Sequence, residues 1–343
     1  MTTLNISIAG PTTVDEFLVP STPERHLAIS QDITDYESFE RAFAAAQPEE
    51  RTYALGGQAF NTAAQLAGQR QYRLAVSTIL GSGNDPFVSA ALEAYREMNV
   101  SLTTFESDAP MARCGYLVDQ LGVGKSWYKP PISEEFNTQS FLEKFGSSLH
   151  FTNVLFLPAV CPAIALAAEE AVRDAFVVYA PAQTLEEDGL ELLDDILYRT
   201  GMLVVNKNEA DMVLDQFDDA NSLDDLFTAY PDMRLITQTL AKDGSSFHQA
   251  GADDFYFTMP SQYRVAAPAS TAGAGDAFTA VLGVKFREKH AGHNLTPAEL
   301  EDIADSAHAA ASRILRIVPA SKYILNAHGQ RIREHDNGQR GAA

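Results

Sequence analysis

Short unbroken apolar runs alternate along this chain with longer stretches whose apolar residues recur every three or four positions. "LNISIAG" (4–10) predicts a first strand that ends in glycine. "QAFNTAAQLAGQ" (58–69) and "DPFVSAALEAYREM" (85–98) predict helices, with the strand-like "YRLAVSTIL" (72–80) between them. Farther on the alternation is regular. "NVLFLP" (153–158), "FVVYA" (176–180) and "MLVVN" (202–206) read as strands. "PAIALAAEEAVRDA" (162–175), "LEEDGLELLDDILYRT" (185–200) and "KNEADMVLDQF" (207–217) read as the helices that follow them. Strands with no polar face belong to a parallel sheet covered on both sides. Repeated strand–helix units therefore predict an α/β fold with a doubly wound, mainly parallel sheet flanked by helices. Ligands of such sheets bind beyond the carboxyl ends of the strands.

Two stretches break the rhythm. Residues 16–54 are polar and irregular, with one helix-like patch at "YESFERAFAAAQ" (36–47). Residues 110–129, "PMARCGYLVDQLGVGKSWYK", alternate around a glycine-bearing turn as a hairpin does. Both follow early strand–helix units, so they are expected to combine into a small β-sheet lid. The expectation is a single domain over 1–343 with lid segments near 16–54 and 105–130. Within the hairpin, "GVGKS" (122–126) imitates the end of a phosphate-binding P-loop. The full pattern needs glycine where Asp119 stands, and a helix after the serine. "WYKPP" follows instead, and paired prolines cannot continue a helix. The hairpin reading is the better one.

Composition narrows the function. Asp and Glu number 46 against 25 Lys and Arg, a net charge of −21. A nucleic-acid binder needs a basic face, so that task is not expected. Cys114 and Cys161 stand far apart without metal-ligand spacing, as free thiols of a reducing compartment do. The N-terminus has no basic region before its apolar run, and no apolar stretch reaches membrane-spanning length. A soluble, cytoplasmic protein is expected, with neither nucleic acid nor membrane as partner.

Candidate chemistry gathers at four places. In "STAGAGDAF" (270–278), Gly273 and Gly275 stand directly before or beside Asp276 at the head of an apolar helix. The first amides of a helix lack intrahelical acceptors and carry partial positive charge. Glycines let a ligand approach them, which suits a phosphoryl group in transfer. The carboxylate there can accept a proton from an attacking hydroxyl. An ordinary capped helix has the same signature. "VVNKNEAD" (204–211) puts Glu209 three residues after Asn206, which is a capping-box spacing and also an oxygen pair fit for hydrated Mg²⁺. "LGGQAFNTA" (55–63) offers Gly56, Gly57 and Asn61, and "IAGPTTVDEF" (8–17) offers Asp15 after a Gly-Pro turn.

Together these stretches resemble the ribokinase-like (PfkB) family of carbohydrate and nucleoside kinases. "STAGAGD" resembles its C-terminal Asp-Thr-x-Gly-Ala-Gly-Asp signature. Asn206 to Glu209 resembles its Asn-x-x-Glu motif, and Gly56 to Asn61 its Gly-Gly-x-x-x-Asn. "LGSGNDPF" (80–87) resembles its Gly-x-x-Gly-x-Asp segment. The order matches over nearly the whole chain. The resemblance implies ATP- and Mg²⁺-dependent transfer of the γ-phosphoryl group to a hydroxyl of a sugar or sugar-like alcohol. Asp276 would be the base and Gly273, Ala274 and Gly275, with the Asp276 amide, the anion hole. Asn206 and Glu209 would organise Mg²⁺ through water, and Asp15, Gly57 and Asn61 would hold the sugar. Thr237 and Gly244, in "LITQTLAKDGS" (235–245), would contact the nucleotide, and the lid is a candidate homodimer surface.

Several positions depart from the family pattern. Ser270 replaces the usual Asp of a monovalent-cation site, which speaks against potassium activation. The 237–244 loop is longer and lacks its middle glycine. "YAPAQ" (179–183) lacks the arginine that many sugar-kinase members carry there, and Gln58 fills a slot held by lysine in ribokinases proper. A nucleoside kinase is the second enzymatic reading, with Tyr116, Trp127, Tyr128 and Phe136 available to a base. A binding protein without turnover is the reading from another class; the retained Asp276, Gly273 and Gly275 speak against it.

Overall fold

The structure is a computed structural model. It describes residues 3–106, 108–119, 124–129, 143, 146, 149, 151–158, 165, 168–169, 171–172, 174–181, 193–217, 220, 222–251, 256–259, 265, 271–290, 293–316 and 323–332.

The larger sheet takes β1 (Leu4–Ala9), β4 (Tyr72–Leu80), β5 (Ser101–Glu106), β8 (Val154–Pro158) and β9 (Phe176–Ala180) from the first part of the chain. From the second part it takes β10 (Thr200–Asn206), β11 (Leu235–Thr239), β12 (Ser245–Gln249) and β13 (Tyr256–Met259). Its order is β13-β12-β11-β10-β9-β8-β1-β4-β5. All neighbours from β11 to β5 are parallel, and β12 and β13 turn back antiparallel at one edge. The strand order reverses around β1, with β4 on one side and β8 on the other. That switch point is where an open α/β sheet leaves a crevice at its carboxyl edge.

The unbroken apolar runs are explained by the two cores. In β8, Val154 and Phe156 enter one core with Val178, Val204 and the helices Gln58–Leu66, Ala274–Lys289 and Pro297–Ile314. Leu155 and Leu157 enter the other with Tyr179, Leu203, Ile236 and the helices Leu193–Leu197 and Lys207–Leu214. The Ala274–Lys289 helix is buried from Ala277 to Val284 and again at Phe286. It lies close because Gly283 carries no side chain: a Cβ there would come within 3.0 Å of the Phe156 ring and Val178.

The smaller sheet contains β2 (Thr13–Leu18), β3 (Arg51–Gly56), β6 (Arg113–Val118), β7 (Gly124–Lys129) and β14 (Ile324–Leu325), ordered β14-β3-β2-β6-β7. β6 and β7 are the expected hairpin, antiparallel with Val118 opposite Gly124. Gly124, Lys125 and Ser126 lie in a strand, so the P-loop imitation is only that. The 16–54 stretch is more regular than its polarity suggested. It ends β2, starts β3, and holds two helices, Pro23–Asp32 and Tyr36–Ala45, where one was expected. The first has no buried residue, so no apolar stripe betrays it; Thr22 caps it by accepting the Arg25 N–H at 3.2 Å. β14 comes from outside both expected lid segments.

The faces of this sheet differ. Leu18, Leu117 and Trp127 face outward and are covered by Phe39 and Phe43 of the Tyr36–Ala45 helix. Gly115 leaves room for the Phe39 ring. The opposite face carries Asp15 and Phe17 of β2 beside Cys114 and Tyr116 of β6, with Phe17 and Tyr116 stacked at 4.9 Å. Ala272 packs on that face, which sets it against the loop leading to Asp276.

Candidate active site

Asp276 is the third residue of the Ala274–Lys289 helix, not its cap. The cap is Gly273, in the left-handed region at φ 76°, where a side chain would be strained. The helix starts three residues earlier than an aspartate cap would put it, so Asp276 lies within its first turn. Asn61 of the Gln58–Leu66 helix donates its Nδ2–H to Asp276 Oδ2 at 2.8 Å. Burial raises the Asp276 carboxyl to about 6, against the lowering effect of that bond. A carboxyl near 6 is still mostly ionised at pH 7, the form that the positive end of the helix favours. The Ala274 amide leans back to the Thr271 carbonyl at 3.4 Å, and the Ala277 amide bonds to Gly273 at 3.1 Å. Gly275 and Asp276 occupy the first turn, where amides have no carbonyl four residues back. A Cβ on the exposed Gly275 would meet nothing among the described residues within 4 Å.

The two glycines before Asn61 have separate causes. Gly57 caps the Gln58–Leu66 helix at φ 84°, and a Cβ there would come within 2.6 Å of the Pro11 carbonyl. Gly56 stands where a Cβ would overlap the carboxyl group of Asp15. One glycine turns the chain and the other leaves space for an acid. Asp15 is 4% exposed and accepts the Thr13 hydroxyl at 2.7 Å. Burial lifts its carboxyl to about 7 against that bond, and the nearby Asp276 charge lifts it further. Asp15, Gly57, Asn61 and Asp276 thus surround the carboxyl end of β1.

Asn206 ends β10 and caps the Lys207–Leu214 helix. Its Oδ1 accepts the Glu209 N–H at 3.0 Å, and Glu209 returns the bond by accepting the Asn206 N–H at 2.8 Å. Asn206 Nδ2 donates to the other Glu209 oxygen at 2.6 Å. The capping box is therefore fully formed. It does not preclude a ligand role, because each carboxylate oxygen accepts more than one bond. Asn206, Glu209, Gly275 and Asp276 line one cleft, along with Gln58 and Thr239. No cluster of three or more His, Cys, Asp or Glu able to hold a metal is found among the described residues. One carboxylate at the rim of a cleft fits Mg²⁺, which keeps several waters and takes its other ligands from phosphates.

Thr237 does not line this cleft. It lies in mid-strand, fully buried, opposite Phe247. Thr239 points to the same face one strand repeat nearer the carboxyl end, level with Asn206, and it reaches the cleft. Depth along the strand decides which of the two threonines is accessible. Gly244 closes the β11–β12 turn at φ 98°, a backbone role. Ser270 and Gln183 lie outside the described residues, as do Phe136 and Cys161. Larger cavities of about 360 and 530 Å³ lie elsewhere, beside Arg331. There Arg331 already pairs with Glu97 at 2.6 Å and stacks on Tyr323, so they offer no comparable chemistry.

A family profile described as pfkB family carbohydrate kinase matches residues 27–317. Three solved structures illustrate the likeness of fold. Ribokinase from Thermotoga maritima is 18% identical, with 92% of this chain and 94% of that one covered at a TM-score of 0.67. Adenosine kinase from Sinorhizobium meliloti is 16% identical, with 92% and 95% covered at 0.71. Burkholderia thailandensis nucleoside kinase in complex with inosine is 14% identical, with 94% of each chain covered at 0.68. Among curated proteins no sequence match is found.

Proposed function

The chain belongs to the pfkB carbohydrate kinase family, and from that premise we propose that it transfers the γ-phosphoryl group of ATP to a hydroxyl of a sugar or nucleoside. The observation that carries the reading is the Asn61–Asp276 bond of 2.8 Å at the open head of a helix. Asp276 accepts the proton of the attacking hydroxyl, and a pKa of about 6 leaves it mostly ionised, yet basic enough to act, at pH 7. Asn61 fixes the rotation of the carboxylate, leaving one oxygen for the acceptor. The Gly275 and Asp276 amides face the transferred group and need no reorganisation as charge develops there. Glu209, oriented by Asn206, would hold hydrated Mg²⁺. When bound, the ion neutralises phosphate charge. Thr239 and Gln58 border the nucleotide side, and Asp15 accepts hydrogen bonds from other hydroxyls of the acceptor.

The small sheet acts as a lid whose Asp15 face excludes water from the cleft. The stacked Phe17–Tyr116 pair on that face gives the nucleoside reading its support, since a base or the apolar face of a sugar can pack beside it. The test is ADP release with Mg²⁺ and a panel of sugars and nucleosides, run with the wild type and Asp276→Asn. Turnover with one acceptor class, lost in the variant, is the expected result. Ligand binding with no turnover across the panel would favour a binding protein.

A further inference from the structure

Arg113 opens β6 on the outer face of the small sheet, and its guanidinium joins three elements. Nη1 lies 3.3 Å from Glu16 Oε1 on β2. Nη2 lies 3.1 Å from Asp85 Oδ2, the cap of the Pro86–Glu97 helix beside the large sheet. The group also sits 4.5 Å from the centroid of the Phe87 ring. Both carboxylates are almost wholly buried, Glu16 at 7% and Asp85 at 8% exposure. Each is held from its far side as well. Asp85 accepts the Phe87 and Met111 amides at 3.0 and 3.1 Å. Glu16 accepts the Tyr36 hydroxyl at 2.9 Å. A line of bonds thus runs from the body through Asp85, Arg113 and Glu16 to the helix covering the small sheet.

Glu16 and Asp15 are consecutive on β2, so they point to opposite faces. Whatever holds Glu16 on the outside sets the height of Asp15 over the cleft. We propose that Arg113 is a positioning residue: it clamps the small sheet to the body and thereby places Asp15 for the acceptor. The functional consequence rests on the kinase reading; the clamp does not. A planar, forked cation is needed, because one group must serve two carboxylates and stack on a ring, which an ammonium cannot do. Burial raises the Glu16 carboxyl and Arg113 is its main counterweight, so the pair is coupled as well as close.

The test uses the full chain in three variants, Arg113→Met, Arg113→Lys and Asp85→Asn, the last of which keeps a good helix cap. Arg113→Met should raise the acceptor KM roughly tenfold or more, while the KM for ATP and kcat stay within about threefold. Arg113→Lys should fall between it and the wild type, and Asp85→Asn should shift the same constant in the same direction. Without any substrate, amide exchange of β2 and β6 should quicken while that of the Ala274–Lys289 helix stays unchanged. An unchanged acceptor KM and unchanged β2 exchange would overturn the proposal, even if the melting temperature fell. If Arg113→Met does not fold, the other two variants carry both readouts. If the wild type phosphorylates no acceptor, the kinase reading fails and the exchange measurement still decides the clamp.

Discussion

As the proposed base, Asp276 would have to be both desolvated and ionised, and the two demands pull its pKa in opposite directions. Burial lifts it to about 6, and the Asn61 bond draws it back. On the proposed reading the ionised form is the active base, so kcat/KM for the acceptor should rise with pH and level off above a midpoint near 6. Asn61→Ala removes a donor to the charged form and should move that midpoint upward; a fixed midpoint would detach Asn61 from the base. Asp276→Asn keeps the shape and should lower turnover by roughly 10² or more with little change in melting temperature. At this scale much could be read from the chain. Glycines beside an aspartate at a helix head, and Asn61 four residues after Gly57, announced themselves through local backbone chemistry. Gly56 did not, because its cause is the Asp15 carboxyl on a neighbouring strand. Thr237 came from the resemblance of 235–245 to a family loop, and a motif match carries no depth along the strand; it is Thr239 that lines the cleft.

On the proposed reading the Lys207–Leu214 helix would serve its own stability and a ligand together. Glu209 spends both oxygens on Asn206, so Glu209→Gln, with one acceptor oxygen, must give up part of the box. A stability loss of about 1 kcal/mol is expected from that alone. A higher Mg²⁺ requirement for turnover should accompany it. Loss of stability with unchanged Mg²⁺ dependence would leave capping as the whole role. The Pro23–Asp32 helix is the opposite case: none of its residues is fully buried, and besides its cap it is held by Arg25, 2.8 Å from Glu50, and by Ile29 packed at the rim of the Phe39 cluster. Its amides should exchange before those of the Tyr36–Ala45 helix, whose Tyr36, Phe39 and Phe43 are buried. The second helix was visible as an apolar patch and the first was not, because periodicity reports burial and no residue of this helix is fully buried.

For the molecule as a whole, several buried acids hold their protons more tightly than they would in an unfolded chain. Asp15 rises from 3.8 to about 7, Asp276 from 3.8 to about 6, and Glu169 from 4.5 to about 9. Between the lower and upper values the folded state keeps protons that the unfolded state releases, so raising the pH favours unfolding. The melting temperature should fall from pH 5 to pH 9, and the net charge of −21 adds repulsion that salt should relieve. Both Glu169 oxygens lack hydrogen-bond partners among the described residues, so Glu169→Gln should flatten the pH slope. A melting temperature that rises toward pH 9 would contradict this account. A lid-mediated homodimer would have to form without the outer face of the small sheet, which the chain's own Tyr36–Ala45 helix covers. Light scattering tests that candidate dimer, and a dimer would direct attention to the β7 edge. The layer order of the large sheet was legible because each strand–helix unit is local. The small sheet was only half legible, since it recruits Ile324–Leu325 from some 270 residues beyond its partner β3, and no local pattern announces such a pairing.

The packing of Trp127 against Phe39, at 5.6 Å between ring centroids, has a use in the laboratory. It is the single tryptophan of the chain, and it sits in the small sheet. Light that excites indole selectively therefore interrogates one sheet and leaves the large one dark. Changes in its emission during mixing with nucleotide or acceptor would time the movement of that sheet in an unlabelled, wild-type protein.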